Sequence, residues 1–354
     1  MKLLVCISSH GYGHAAQTAA VVNVWMQRQP DTELILRTAL PQDWLRIRFD
    51  APFQHIAQST DFGMAMDSAV DVRLEESLQR YIDFHAHWEE AVQQEARDLC
   101  AIAPDLLLAN VPYLPLAGAK VAGIKAVALC SLNWADILAS YAAGFPHLSE
   151  VIAQIRAAYQ GANAFICCTP AMPMTELQNQ RRVGPIARIG VNKRAEIIQQ
   201  FSLSENARLV LVAPGGLPME LPVDQWPKTE NLVWLVQSNW KLSGPNIISL
   251  EQIPYAFIDV LASVDVLVGK PGYGSVSEAV CNGIPFIYLK RGDWPEEPYL
   301  LDWLHRHGRG HSVERAAFYA GDFLQAIEDC LQIRPDPMEP VGVLDAVKIL
   351  ESYI

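Results

Sequence analysis

Asp265-Val-Leu-Val-Gly-Lys-Pro-Gly-Tyr-Gly-Ser-Val-Ser-Glu278 is followed by Gly283-Ile-Pro-Phe-Ile-Tyr-Leu289 and Trp294-Pro-Glu-Glu-Pro298. In physical terms this is a buried strand, a glycine turn, a helix start, a second buried strand and an acidic loop. Apolar 264–268 has the length and β-branching of a parallel strand covered on both faces. Gly272 and Gly274 permit backbone angles and close approaches closed to other residues. Ser275 and Ser277 stand where a helix begins, so free amides and the positive end of the helix dipole point at whatever fills the turn. A phosphate or diphosphate is the natural occupant. Glu278, one helical step beyond, is placed to accept hydrogen bonds from paired sugar hydroxyls.

A second glycine turn opens the chain. The apolar strand Lys2–Ile7 runs into Ser8-Ser-His-Gly-Tyr-Gly-His14 and then a helical stretch to Arg28. Gly11 and Gly13 bracket the turn, and His14 stands at the first helical positions above the carboxyl end of the strand, where open α/β sheets bind ligands. One such turn in each half of the chain predicts two α/β domains that face each other across a cleft.

The composition narrows the function. The 354 residues suffice for two cores, and 51% hydrophobic with 19% charged residues describes a globular chain. No apolar stretch reaches the ~18 residues of a membrane span. A net charge of −12 speaks against a nucleic-acid partner, which needs clustered Lys and Arg. Seven cysteines without a CxxC pair, several of them in apolar strands, fit reduced thiols in the cytoplasm. Met1 leads straight into the strand, so no signal peptide is expected.

Strand and helix patterns alternate through the first half: strands at 2–7, 33–37, 105–109, 125–130 and 164–168, with helices at 14–28, about 70–103, 113–122 and 149–160. Arg182–Arg188, with its Gly-Pro, reads as a boundary. The pattern restarts with strands at 208–213, 232–236 and 246–249 and helices at 193–201 and 254–262, and it closes with helices at 299–307, 322–331 and 341–354. Such alternation implies mostly parallel sheets covered on both faces.

With both turns in position, the chain resembles glycosyltransferases of the GT-B fold. It is similar to the peptidoglycan N-acetylglucosaminyltransferase, to the UDP-glycosyltransferase superfamily and to the N-terminal part of plant arabinokinases. The resemblance is sharp at 8–14, 104–110, 183–187, 214–216 and 264–298. It implies two Rossmann-like domains: residues 1–187 on the acceptor side, residues 188–340 for the nucleotide sugar, and a helix 341–354 that packs back on the N-domain. It also implies that Gly272, Tyr273, Gly274 and Ser275 surround the diphosphate, with Gly13, Gly215, Gly216 and Lys270 contributing. Glu278 would hold the ribose hydroxyls, Glu296 and Glu297 the donor sugar, and Ile253 the nucleobase.

His14 is the candidate general base, since an imidazole near neutral pKa suits removal of a proton from an attacking hydroxyl. His10 is the weaker rival in the same turn. Some relatives orient the base with an aspartate where this chain has Asn110, which can hold a tautomer but cannot stabilise an imidazolium as a carboxylate does. Asp61, Asp67 and Asp136 are the possible substitutes. No DxD motif stands at a strand end, so no metal and no cofactor are expected. His85 and His87 lie about 200° apart on a helix and cannot share a ligand. Trp25, Trp44 and Trp88 read as packing residues, whereas Trp294 and Tyr299 flank the acidic loop and could stack on a sugar.

The leading expectation is an inverting, metal-independent transferase that uses a UDP-sugar by default and an unidentified acceptor. A nucleotide-sugar hydrolase or epimerase on the same fold is the alternative, and so is a non-catalytic nucleotide-sugar-binding protein. Asn110 keeps the last reading open.

Overall fold

A computed structural model describes residues 1–354 apart from Ala69, 216–220, Lys228, Glu230, 238–239, 241–243 and Pro245. The chain divides into two compact units. One comprises Met1–Asp67, Asp71–Ile186 and Val341–Ile354; the other comprises Ser68–Val70 and Ala187–Pro340.

The first unit runs β1 (Lys2–Ile7), α1 (Tyr12–Arg28), β2 (Glu33–Arg37), α2 (Gln42–Arg48), β3 (Gln54–Ile56), α3 (Leu74–His85) and α4 (Trp88–Ile102). It continues with β4 (Leu106–Asn110), α5 (Leu114–Ala122), β5 (Ala126–Cys130), α6 (Trp134–Tyr141), α7 (Leu148–Gly161), β6 (Ala164–Thr169) and β7 (Gln180–Pro185). Its seven strands lie in the order β3-β2-β1-β4-β5-β6-β7, paired in parallel. The central strands are apolar and buried along their length, as a sheet covered by helices on both faces requires.

The long helix expected in the first half changes here. The helical region read as 70–103 is two helices, because α4 restarts at Trp88 with Glu89 and Glu90 in its first turn, where the dipole favours acids. In the stretch read as a boundary, 182–188, the edge strand β7 ends at Pro185, and the first unit gives way to the second between Ile186 and Ala187.

The second unit runs α8 (Arg194–Gln200), β8 (Arg208–Ala213), β9 (Leu232–Val236), β10 (Ile247–Ser249), α9 (Phe257–Ser263), β11 (Val266–Gly269) and α10 (Tyr273–Cys281). It ends with β12 (Phe286–Leu289), α11 (Glu297–His307), β13 (Gly310–Val313), α12 (Arg315–Ala320) and α13 (Leu324–Leu331). The sheet order is β10-β9-β8-β11-β12-β13, again paired in parallel. Trp226, Trp234 and Phe323 pack edge to face with centroids 5.0–6.0 Å apart at the heart of its core.

The last helix, α14 (Gly342–Glu351), belongs to the first unit and packs on α1 and β7. Glycine makes the docking possible. A Cβ on Gly342 would land inside the Gly184 carbonyl, and one on Gly184 would meet Val341. All seven cysteines are free thiols. Among the described residues, no helix is long and apolar enough to cross a membrane.

Strand order reverses once in each sheet, between β1 and β4 in the first and between β8 and β11 in the second. The crevice at the carboxyl ends of such strand pairs is where open α/β sheets bind ligands. Both glycine turns emerge there.

Candidate functional site

In the second unit, β11 ends at Gly269, and Lys270, Pro271 and Gly272 lead into α10. The first amide taken up by the helix ladder is Val276 N–H, which donates to Gly272 O at 3.0 Å. The amides of Tyr273, Gly274 and Ser275 therefore lie outside that ladder and face the turn. Gly272 has φ −94°, ordinary extended backbone, so the left-handed freedom expected of it is not used. Instead, a Cβ built on Gly272 or on Gly274 would meet nothing within 4 Å. The missing side chains leave open space beside the helix-start amides.

Ser277 is fully buried and donates back to Gly274 O at 3.4 Å. Its hydroxyl turns into the helix, and Ser275 is the serine left half-exposed at the turn.

Lys270 crosses this turn from below. Gly215, just beyond β8, has φ +108°, which favours glycine, and a Cβ there would lie 2.8 Å from Lys270 Cε. The turns after β8 and β11 thus meet over the lysine stem. Gly216 lies outside the described residues. Burial pushes the Lys270 ammonium down to about 7; the Arg291 charge adds to this and Glu296 opposes it. Glu278 lies in α10 with 6% exposure, one turn past Gly274. Ile253 is buried in the bend after β10, its amide bonded to Leu250 O.

The acidic loop is knitted to itself. Arg291 N–H donates to Glu297 Oε2 at 2.8 Å, Trp294 Nε1–H donates to Glu296 Oε2 at 3.2 Å, and the Arg291 guanidinium stacks 4.0 Å over the Trp294 ring. Glu297 titrates above the ordinary carboxylate range because burial outweighs the Arg291 and Gly292 amides and nearby cations. Trp294 is 4% exposed, with Arg291 on its face, so it is not open as a sugar platform. Tyr299 remains 40% exposed.

In the first unit, His14 sits in the first turn of α1, and Nδ1 lies 3.0 Å from Asn110 Oδ1 at the end of β4. The two residues bridge the reversal point of their sheet. Asn110 Nδ2 in turn donates to Gln17 Oε1 at 2.7 Å, and Gln17 Nε2 donates to Cys168 Sγ at 2.9 Å. With Asn110 Oδ1 facing the ring, Nδ1 is the nitrogen placed to donate and Nε2 the one left to accept; Cys130 Sγ lies 3.8 Å from the same Nδ1. Gly11 and Gly13 again leave open space where a Cβ would stand.

His10 has the opposite arrangement, since Met64 N–H donates to its Nδ1 at 3.4 Å. Both imidazoles pack against Trp134, with centroids at 5.2 Å for His10 and 6.2 Å for His14. Trp134 Nε1–H donates to Asp61 Oδ2 at 2.8 Å. Burial pushes the Asp61 carboxyl up to about 6, tempered by Ser8, Trp134 and the Ser9 backbone.

The structure thereby separates the three aspartates. Asp61 packs beneath the histidine turn, Asp136 bonds Asn133 and Arg156 at the start of α6, and Asp67 pairs with exposed Arg73. Gln17 and Trp134 escape a reading of the sequence. Gln17 stands three residues after His14 on the same helix face, a polar residue in an apolar run, and that spacing is the signal that would have found it.

Elsewhere, His85 is buried, bonded to Gln154 at 2.7 Å and to Tyr113 Oη at 3.0 Å, while His87 is exposed beside Glu90. Trp25 is buried, Trp44 stacks on Tyr12 and Trp88 stacks on His85. His305 bonds Tyr288 Oη at 2.9 Å. Among the described residues, no three His, Cys, Asp or Glu side chains converge as a metal site needs.

Two parallel α/β units of seven and six strands, each with a glycine turn at its reversal point, define the GT-B fold. The chain is similar in structure to the calicheamicin glycosyltransferase CalG4, with a TM-score of 0.60 and 16% identity over 99% of this chain and 97% of that one. It is also similar to UGT89C1 of Arabidopsis thaliana, solved with quercetin, with a TM-score of 0.59 and 14% identity over 99% and 94% of the two chains. Os79 of O. sativa, solved with U2F and trichothecene, gives 0.59 and 15% over 100% of both. In sequence, the chain is 26% identical over 335 residues to L-arabinokinase of Arabidopsis thaliana, covering 93% of this chain and 32% of that protein. The chain thus spans about a third of the length of this curated relative. No protein-family model matches it.

Proposed function

We propose that this chain is an inverting, metal-independent glycosyltransferase that moves a sugar from a nucleoside-diphosphate donor, UDP by default, to an acceptor hydroxyl. The observation that carries the reading is the turn after β11. Three helix-start amides, two glycines with open space above them and the stem of Lys270 converge at the reversal point of the second sheet. This arrangement suits a diphosphate without a metal ion. UGT89C1 has also been solved with UDP-L-rhamnose, which supports a uridine donor.

In this reading the second unit binds the donor and the first supplies the base. The acceptor oxygen attacks the anomeric carbon while its proton passes to His14 Nε2. The bond from that carbon to the diphosphate oxygen breaks, and the electron pair leaves with the diphosphate. Lys270 and the amides of residues 273–275 stabilise the charge that develops there. Glu278 accepts from the ribose hydroxyls.

The test is nucleotide binding and turnover on wild type and two variants. A nucleoside diphosphate at 100 times its Kd stabilises the wild type by about 2.7 kcal/mol, and Glu278→Ala loses most of that response. His14→Ala keeps the response, and its turnover falls at least about 100-fold. Wild-type turnover in His14→Ala overturns the base. Free sugar released without acceptor as fast as any transfer replaces transfer by hydrolysis.

A further inference from the structure

We propose that Gln17 is a positioning residue that sets which nitrogen of His14 carries the proton, acting through Asn110. The inference rests on the reading of His14 as base.

A carboxylate facing Nδ1 can only accept, so it fixes the tautomer by itself. An amide cannot. Turned by 180°, Asn110 would offer Nδ2–H to the ring in place of Oδ1, and His14 would move its proton to Nε2, the nitrogen that must take the acceptor's proton. What prevents the turn is the far end of the amide. Asn110 Nδ2 donates to Gln17 Oε1 at 2.7 Å, and Gln17 is itself held through Nε2 to Cys168 Sγ at 2.9 Å. Turning Asn110 alone would set its oxygen against the Gln17 oxygen.

Water cannot relieve that clash, because Asn110 and Cys168 are fully buried and Gln17 is 4% exposed, so each amide must find donor and acceptor within the protein. Gln17 stands three residues after His14 on α1, and its backbone moves with the histidine. Two buried amides in series hold the ring as long as Cys168 Sγ accepts from Gln17, and they leave the site without a carboxylate's charge.

The test reads the tautomer directly, by 15N NMR of the histidine side chains in the unliganded full chain, with His14 assigned by its loss in His14→Ala. The wild type is expected to carry the proton on Nδ1; a dominant Nε2–H form overturns the proposal. Gln17→Leu removes the acceptor from Asn110, so the Nε2–H form grows. Its kcat is expected to fall at least about tenfold with the donor KM unchanged.

Gln17→Glu restores an oxygen facing Asn110 Nδ2 and recovers both the wild-type tautomer and kcat. An unchanged tautomer in Gln17→Leu overturns the proposal, as does a Gln17→Glu no better than Gln17→Leu. If Gln17→Leu does not fold, Gln17→Met takes its place with the same two outcomes. Should His14→Ala retain full turnover, the base reading fails, and the tautomer measurement still reports on Gln17.

Discussion

Lys270 is held far from its ordinary chemistry. Its pKa falls from 10.5 to about 7, mainly through burial, and a bound diphosphate brings the opposite charge that restores its proton. Below pH 7 the lysine is charged with or without ligand, so binding moves no proton there. Above pH 7 it is neutral when free and charged when bound. Binding then takes up a proton, and affinity falls by up to about tenfold per pH unit. Titration calorimetry of UDP binding in buffers of different ionisation enthalpy should give uptake near zero at pH 6 and near one proton at pH 8. Lys270→Met should abolish the difference, and absence of uptake in the wild type would remove Lys270 from the phosphate site.

Because the folded value lies below the unfolded one, the buried lysine also costs stability. The cost is fully present below pH 7 and is relieved as pH rises towards 10.5. Lys270→Met should therefore melt higher without ligand and respond less to it. At this scale, the glycines and the place of His14 at its turn can be read from turn chemistry, whereas Lys270 enters through the resemblance. Gln17 shows in the sequence only as a polar residue three positions after His14, and its role emerges once Asn110 is brought to it from 93 residues away.

The elements that sequence patterning captured are those buried on both faces. Strands 2–7, 33–37, 208–213 and 232–236 have the expected bounds, since continuous apolar runs leave little choice of register. Three strands were not expected, β3, β7 and β13, and each is an edge of its sheet. Gln54–Ile56, Gln180–Pro185 and Gly310–Val313 are short, polar or interrupted by Gly and Pro, and half covered, so they carry no period to read. One buried link between elements was equally silent. Arg37 at the end of β2 makes two bonds, 2.6 and 2.9 Å, to Glu95 on α4, both side chains being 3% exposed. Removing one partner strands the other charge away from water, so Glu95→Ala should cost about 3–5 kcal/mol in urea unfolding. Replacing both with Met should cost much less. Equal losses in the single and double variants would show that packing, not the stranded charge, sets the cost.

Across the whole molecule, the first unit is assembled from chain segments that lie far apart, and its last piece is α14. Val343, Val347 and Leu350 on this helix are buried, and Ala346 beside them is fully so. At about 1.5–3 kcal/mol for each of the three larger side chains, the helix contributes on the order of 5–9 kcal/mol, comparable to the entire stability of an ordinary domain. The exposed Arg28–Glu351 pair adds little to that. Among the described residues, the core cluster of the second unit contains no residue of α14. Deleting residues 341–354 should therefore strip protection from β1 and β4 in hydrogen exchange and abolish His14-dependent turnover. Protection of β8 and β11, and its increase on adding UDP, should persist. Intact protection of β1 and β4 in the truncated chain would mean that β7 and α1 close their own surface and that the glycine-to-glycine docking of α14 is dispensable. Loss of the UDP response along with them would mean that the second unit depends on the first for its own fold.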